Sequence, residues 1–198
     1  MSTVPGEAAR LAPLSPPYAP ELREALARWM PPGSQSEPLA LFRTMYLNAQ
    51  LAGRMRPLGA GILGASATVP ARLREVMIQR TCALTGAEYE WGVHAAAFAD
   101  AVGLDAEQLR GTVHGGPDDA CWGAEETIVL RIADELHESS SISDETWDAL
   151  SATFAPEQII ELIVTAGWYH VIAYLCNGLR VEREPWARRF PPPASARE

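Results

Sequence analysis

The segment Ala87-Glu88-Tyr89-Glu90-Trp91-Gly92-Val93-His94 sets a carboxylate and an imidazole four residues apart in an alanine-rich, apolar stretch, with Glu75 twelve residues before Ala87. At helical spacing Glu90 and His94 leave one face, and Ala87, a turn earlier, leaves room beside them. Such a pair transfers protons. Glu90 either fixes the tautomer of His94 and raises its pKa, or acts as the base itself. Glu75 adds a second carboxylate if the two segments form a hairpin across Thr85-Gly86. Two carboxylates and a histidine in a partly dry site push each other's pKa values apart. The same spacing also fits a solvated helix pair with no chemistry. It is not the H-E-x-x-H metal pattern, and without a second histidine nearby no metal is expected.

His170 lies between Tyr169 and Val171 in the most apolar stretch of the chain. A lone histidine there serves either as a hydrogen-bonded core group or as a site residue. Tyr169 and His170, with Tyr89 and Trp91 around Glu90, are the candidate substrate-binding side chains. His137, near the end of an amphipathic segment, reads as structural, since a cation is favoured there. His114 falls in a loop.

Composition narrows the classes. Of 198 residues 47% are hydrophobic, and the formal charge is −9. No basic surface is available to meet phosphates, so nucleic acid is not an expected partner. All 16 basic residues are arginine, which removes Schiff-base chemistry through lysine. Cys82, Cys121 and Cys176 form no Cys-x-x-Cys pair and no disulfide framework, as suits a reducing compartment. The N-terminal stretch has no basic region followed by an apolar one, so no signal peptide is expected. The apolar run Leu162 to Cys176 is about 15 residues against the roughly 20 a membrane span needs. A cytoplasmic chain with no membrane partner is expected.

The periodicity is helical throughout, predicting one all-α domain over residues 19–190, with a flexible Pro-rich arm over 1–18 and a tail over 191–198. Helices are expected over Glu21–Met30 (stopped by Pro31-Pro32-Gly33), Leu39–Gly53, and a short one from Arg54 to Leu63 beginning near Pro57. Pro70 suits a first turn ahead of Ala71–Leu84. Thr85-Gly86 then breaks the chain before Glu88–Val102, with a short turn at Asp105–Leu109. Further helices follow over Ala124–Ser139 and Thr146–Phe154, capped by Ser143, and from Pro156 to about Asn177, with Gly178 as the stop.

From Glu75 to His94 the chain resembles the carboxymuconolactone decarboxylase family, which includes the alkylhydroperoxidase D-type peroxidases. The peroxidase signature runs Glu, eleven residues, Cys, two residues, Cys, three residues, His. Here the frame fits to the residue, but Ala87 and Glu90 stand at the cysteine positions. The wording Glu-Tyr-Glu-Trp-Gly-x-His is similar to the thiol-free branch, nearer the decarboxylases, and further resemblance brings the whole to about residues 38–190, specific at family level. It implies an all-α fold with a central helical hairpin, and a homo-oligomer (dimer, trimer or hexamer). For that branch it also implies cofactor-independent proton transfer on a small oxygenated carbon acid, lactone or polyketide-like intermediate. The leading expectation is therefore a carbon–carbon lyase, with His94 as acid/base, Glu90 its partner and Glu75 the second carboxylate. It requires no cofactor. A catalytically silent helical binding or scaffold protein is the alternative. A peroxidase-like enzyme is disfavoured because it needs attacking and resolving thiols. The apolar surface of the Leu39–Gly53, motif and final segments, with Trp168, Tyr169 and Tyr174, suggests a closed oligomer.

Overall fold

A computed structural model describes residues 8–31 and 33–193. The first seven residues of the expected arm, Pro32 of the expected helix stop and residues 194–198 of the tail lie outside them. The described residues are helical with no β-strand among them. They divide into two compact units. One comprises residues 8–67, without 32, and 174–185; the other comprises 68–173 and 186–193.

The first unit holds α1 (Pro20–Ala27), α2 (Ala40–Met45), a single 3-10 turn (Tyr46–Asn48) and α3 (Ala49–Leu63). The expected helix over Leu39–Gly53 is thus broken. The cause is local: the Asn48 side chain accepts from the Leu51 N–H at 3.2 Å and caps a new helix. That helix then runs through Pro57 instead of starting at it. Pro57 and Gly53, whose carbonyl the proline leaves unpaired, lie on the exposed side, where water can serve that carbonyl. Residues 8–18 are tied down within this unit. The Arg10 N–H donates to the Leu179 carbonyl at 2.9 Å, and Arg43 Nη1 donates to that of Leu14 at 2.9 Å.

The second unit is built on α4 (Ala71–Leu84), which packs against α5 (Glu88–Ala97), α6 (Ala106–His114) and α7 (Ala124–Ser139). Helix α8 (Asp144–Thr153) lies on α7, and α9 (Pro156–Leu179) supplies residues up to Ala173 here and its last turns to the other unit. Helix α4 is buried along most of its length, from Glu75 to Cys82. Its anchor is Arg80, which makes a two-pronged contact to Asp134 of α7 (Nε–Oδ1 2.5 Å, Nη2–Oδ2 3.0 Å). The remaining nitrogen of Arg80 donates to the carbonyls of Thr112 and Gly115 at 3.0 and 2.9 Å. A guanidinium suits this duty because its planar fork serves several acceptors at once.

The α4–α5 hairpin forms where Thr85-Gly86 predicts it. Gly86 has φ +66°, a left-handed value glycine adopts without a Cβ penalty. The Gly86 and Ala87 N–H groups close the turn on the Ala83 and Cys82 carbonyls. Helix α5 is shorter than predicted, ending at Ala97. Helix α6 is longer, because Asp105 and Gln108 form a reciprocal capping box that starts a full helix. Helix α9 has 24 residues, long and apolar enough to cross a membrane by length and composition alone, with half of its most apolar window buried within the fold. It passes through Gly178, and the left-handed residue after it is Arg180, φ +52°.

Candidate active site

His94 sits on α5 at 3% exposure, between carboxylates from two helices. Its Nδ1 is 2.9 Å from Glu75 Oε2 of α4, and its Nε2 is 3.4 Å from Glu90 Oε1, one turn back on α5. The Tyr169 hydroxyl of α9 reaches the same Nε2 at 3.0 Å. The Tyr169 ring stands edge-on to the imidazole with centroids 5.1 Å apart, and the Phe98 ring lies 5.0 Å away on another side. The hairpin therefore joins Glu75 to His94, and α9 closes the group.

Burial works against a charged imidazole, but the Glu75 charge and hydrogen bond, followed by those of Glu90, outweigh it. The His94 pKa is pushed up to about 10. Magnitudes support that order: an opposite charge at about 4 Å is worth about 4 kcal/mol at an effective dielectric of about 20. Two carboxylates exceed the several kcal/mol that desolvating one ion costs. His94 is thus an imidazolium at neutral pH, donating from both nitrogens. Tyr169 moves the other way in function: burial, then the Glu90 and Glu75 charges, raise its pKa well above the usual phenol value, so it keeps its proton. Glu90 is 7% exposed, and its second oxygen, Oε2, is buried without a partner.

The structure brings together Glu75, Glu90, His94 and Tyr169. It does not bring in Trp91, whose indole N–H donates to Thr112 Oγ1 at 3.0 Å and whose ring packs edge-on against Phe190 at 5.4 Å. Nor does it bring in His170, which is 3.1 Å from Nδ1 of His137, across α7 and α9. Tyr89 is buried on α5. Phe98 is the residue the sequence reading missed. It lies one turn past His94, so its i,i+4 spacing was the available signal.

The outer side of α5 is covered by residues 186–193. The Arg188 N–H donates to the Gly92 carbonyl at 3.1 Å, the Phe190 N–H donates to Glu88 Oε1 at 3.0 Å, and His114 Nε2 meets the Pro191 carbonyl at 2.7 Å. A Cβ on Gly92 would overlap the carbonyl oxygen of Arg188.

With this geometry in place, the fold can be set beside known structures. An uncharacterized peroxidase-related protein from Silicibacter sp. TM1040 superposes with a TM-score of 0.76 at 15% identity, over 96% of this chain and 99% of its own. The debrominase Bmp8, solved with 2,3,4-tribromopyrrole, gives 0.70 at 17% identity, over 88% of this chain and 91% of its own. A protein of unknown function from Agrobacterium tumefaciens, described as a putative antioxidant defence protein AhpD, gives 0.64 at 15% identity, over 71% and 94%. No known family's sequence profile matches the chain, and no curated protein sequence does. The likeness defines the class of fold: all-α and alkylhydroperoxidase D-like. At these identities it carries nothing finer.

Proposed function

We propose that this chain is a cofactor-independent, cytoplasmic lyase-type enzyme of the thiol-free kind, transferring a proton on a small oxygenated carbon acid. The observation that carries the reading is the two-sided hold on His94, with Glu75 at Nδ1 and both Glu90 and Tyr169 at Nε2. Burying three ionisable groups and a phenol together is costly unless they are paired, and proton-transfer sites are where such clusters concentrate.

In this reading each group has a role that its charge state allows. The His94 imidazolium cannot be a base; it is the acid and the positive charge beside a developing enolate. The neutral Tyr169 hydroxyl accepts from Nε2–H and donates its own hydrogen to the substrate carbonyl oxygen. Glu90, with Oε2 unpartnered, is the base for a C–H proton. For decarboxylation the carbon–carboxylate bond breaks, its electrons pass into the adjacent carbonyl as an enolate, and CO2 leaves. His94 Nε2–H then protonates the carbon and is recharged from solvent. Glu75 is the positioning residue that keeps the ring oriented and charged. General acid–base assistance of this kind is worth about 10²- to 10⁴-fold in rate. A silent scaffold would present Glu90 to bulk water, and its 7% exposure favours the enzyme. The debrominase shares the fold and is seen with a small ring compound, which supports a small-molecule ligand here.

The test is enzyme-dependent hydrogen–deuterium exchange and CO2 release, followed by NMR, on acetoacetate, α-acetyl-γ-butyrolactone and 1,3-cyclohexanedione. Exchange is expected in the wild type and lost in His94→Gln and Glu90→Gln. Equal exchange in wild type and both variants would overturn the reading.

The protein is also proposed to be a homo-oligomer. Ile160, Ile163, Val164 and Val171 stand 63%, 36%, 38% and 41% exposed on one side of α9, around Gly167, beside which a Cβ would meet open space. Ile163 and Val171 are equidistant from Gly167 along the helix. A two-fold axis at the glycine would pair each with the other on a second copy, as an isologous contact requires. Light scattering should give a multiple of 21.5 kDa. A stable monomer at micromolar concentration would refute it.

A further inference from the structure

Gln79 has 0% exposure, and neither its Oε1 nor its Nε2 has a hydrogen-bond partner. Buried amides are almost always paired, so an orphaned one calls for a physical reason. Its place on α4 supplies one. Gln79 is four residues past Glu75, so the two side chains leave the same face with Cβ atoms about 5–6 Å apart. Cys82, seven past Glu75, is on that face too, close enough to Tyr169 to add to the upward shift of its hydroxyl pKa. The face therefore touches His94 through Glu75 at one end and carries Cys82 at the other. Gln79 lies between them. Glu90 Oε2 is a further unpartnered atom of the same cluster.

We propose that Gln79 is the recognition group of this site, its carboxamide hydrogen-bonding a neutral ligand edge that carries a donor beside an acceptor, as in a lactam, a cis-amide or an enol next to a carbonyl. The proposal rests on the reading that the His94 cluster binds a small molecule. The chemistry of the amide selects the class. Its oxygen needs a donor and its nitrogen needs an acceptor, so only an edge with both satisfies it. An ester or lactone offers acceptors alone. A carboxylate does the same and also brings a third negative charge beside Glu75 and Glu90. If the substrate carries a carboxylate, Gln79 is not what holds it.

A matched pair of probes isolates this edge: 2-pyrrolidinone, with N–H beside C=O, and γ-butyrolactone, with a ring oxygen in place of the N–H. Affinities of both for the full chain are measured by NMR titration, in the wild type and in Gln79→Met, which keeps the length and removes the polarity. A site built to bond an N–H rejects the analogue that lacks it strongly. The wild type should therefore prefer the lactam by at least about tenfold, and Gln79→Met should bring the two within about twofold. Equal wild-type affinities, binding of neither probe, or a preference that persists in Gln79→Met would overturn the proposal. The last would leave Gln79 a structural amide satisfied by buried water. If Gln79→Met does not fold, the wild-type comparison alone still decides. The titration needs no turnover, so the two readings fail separately. A lactam preference without any exchange refutes only the acid–base role, and exchange without the preference refutes only the recognition role.

Discussion

Two histidine clusters occupy the same compact unit, and their imidazoles are tuned in opposite directions. Burial lowers the pKa in both. At His94 two carboxylates reverse that and carry the group to about 10. At His137 the next contribution comes from His170, another imidazole, which adds to burial instead of opposing it, and the pKa stays below the usual value. His170 Nδ1 donates to the Ala166 carbonyl, 2.9 Å away, and its Nε2 lies 3.1 Å from His137 Nδ1. His94 stores a proton; His137 resists one. Neighbours, more than burial, set the sign.

Removing each histidine in turn breaks the comparison most directly. His94→Gln leaves two buried carboxylates without their cation. It should cost roughly 3–5 kcal/mol in urea unfolding, with loss of the exchange activity. His137→Gln, at an exposed position, should stay within about 0.5 kcal/mol and keep the activity. Equal costs would show that the clusters are alike.

A smaller effect separates them by pH. The folded pKa of His94 lies above its unfolded value of about 6.5, so its contribution to stability is complete below that pH. It falls away as pH rises toward about 10. For His137 the folded value is depressed, so its contribution holds above the unfolded pKa and is lost as pH drops through the folded one. Imidazole resonances followed by NMR should show His137 titrating first on the acid side and His94 only in alkali. A His94 titration near neutrality would contradict the arrangement.

The smallest effect concerns the thiols. Cys82 and Cys176 are buried, Cys121 is partly buried, and no two stand at redox spacing. Iodoacetamide under native conditions, or chelation with EDTA, should leave the exchange rate unchanged. A loss on alkylation would move the chemistry toward sulfur.

The α4–α5 hairpin was legible because Pro70 and Thr85-Gly86 punctuate it and because Glu75, Glu90 and His94 keep a fixed frame. What the chain did not disclose depends on contacts remote in sequence or on side chains that override propensity. Asn48 caps a helix inside a continuous apolar period. Pro57 is carried through a helix by facing outward. Tyr169 was recognisable as a polar tip on an apolar helix, but its hydroxyl meets Nε2 of His94 only once α9 packs beside α5. His170, its neighbour, looked equally eligible, yet a step of one residue turns it toward His137 instead. Gln79 is spaced one helical turn from Glu75. That its amide would find no partner is a property of packing, which periodicity does not encode.

Gly92 ties the history of two distant stretches together. Glu88 and Phe190, which meet across the covering segment, are 102 positions apart. On the ribosome α5 therefore emerges about a hundred residues before the segment that covers it. Over evolutionary time the same contact acts as a ratchet. While the 186–193 segment lies against α5, no side chain fits at position 92, and drift there stays closed until the segment moves or is lost. In a lineage that shed those residues, Gly92 would become free to vary, and the outer side of the site helix would be the first surface on which a new partner could be selected.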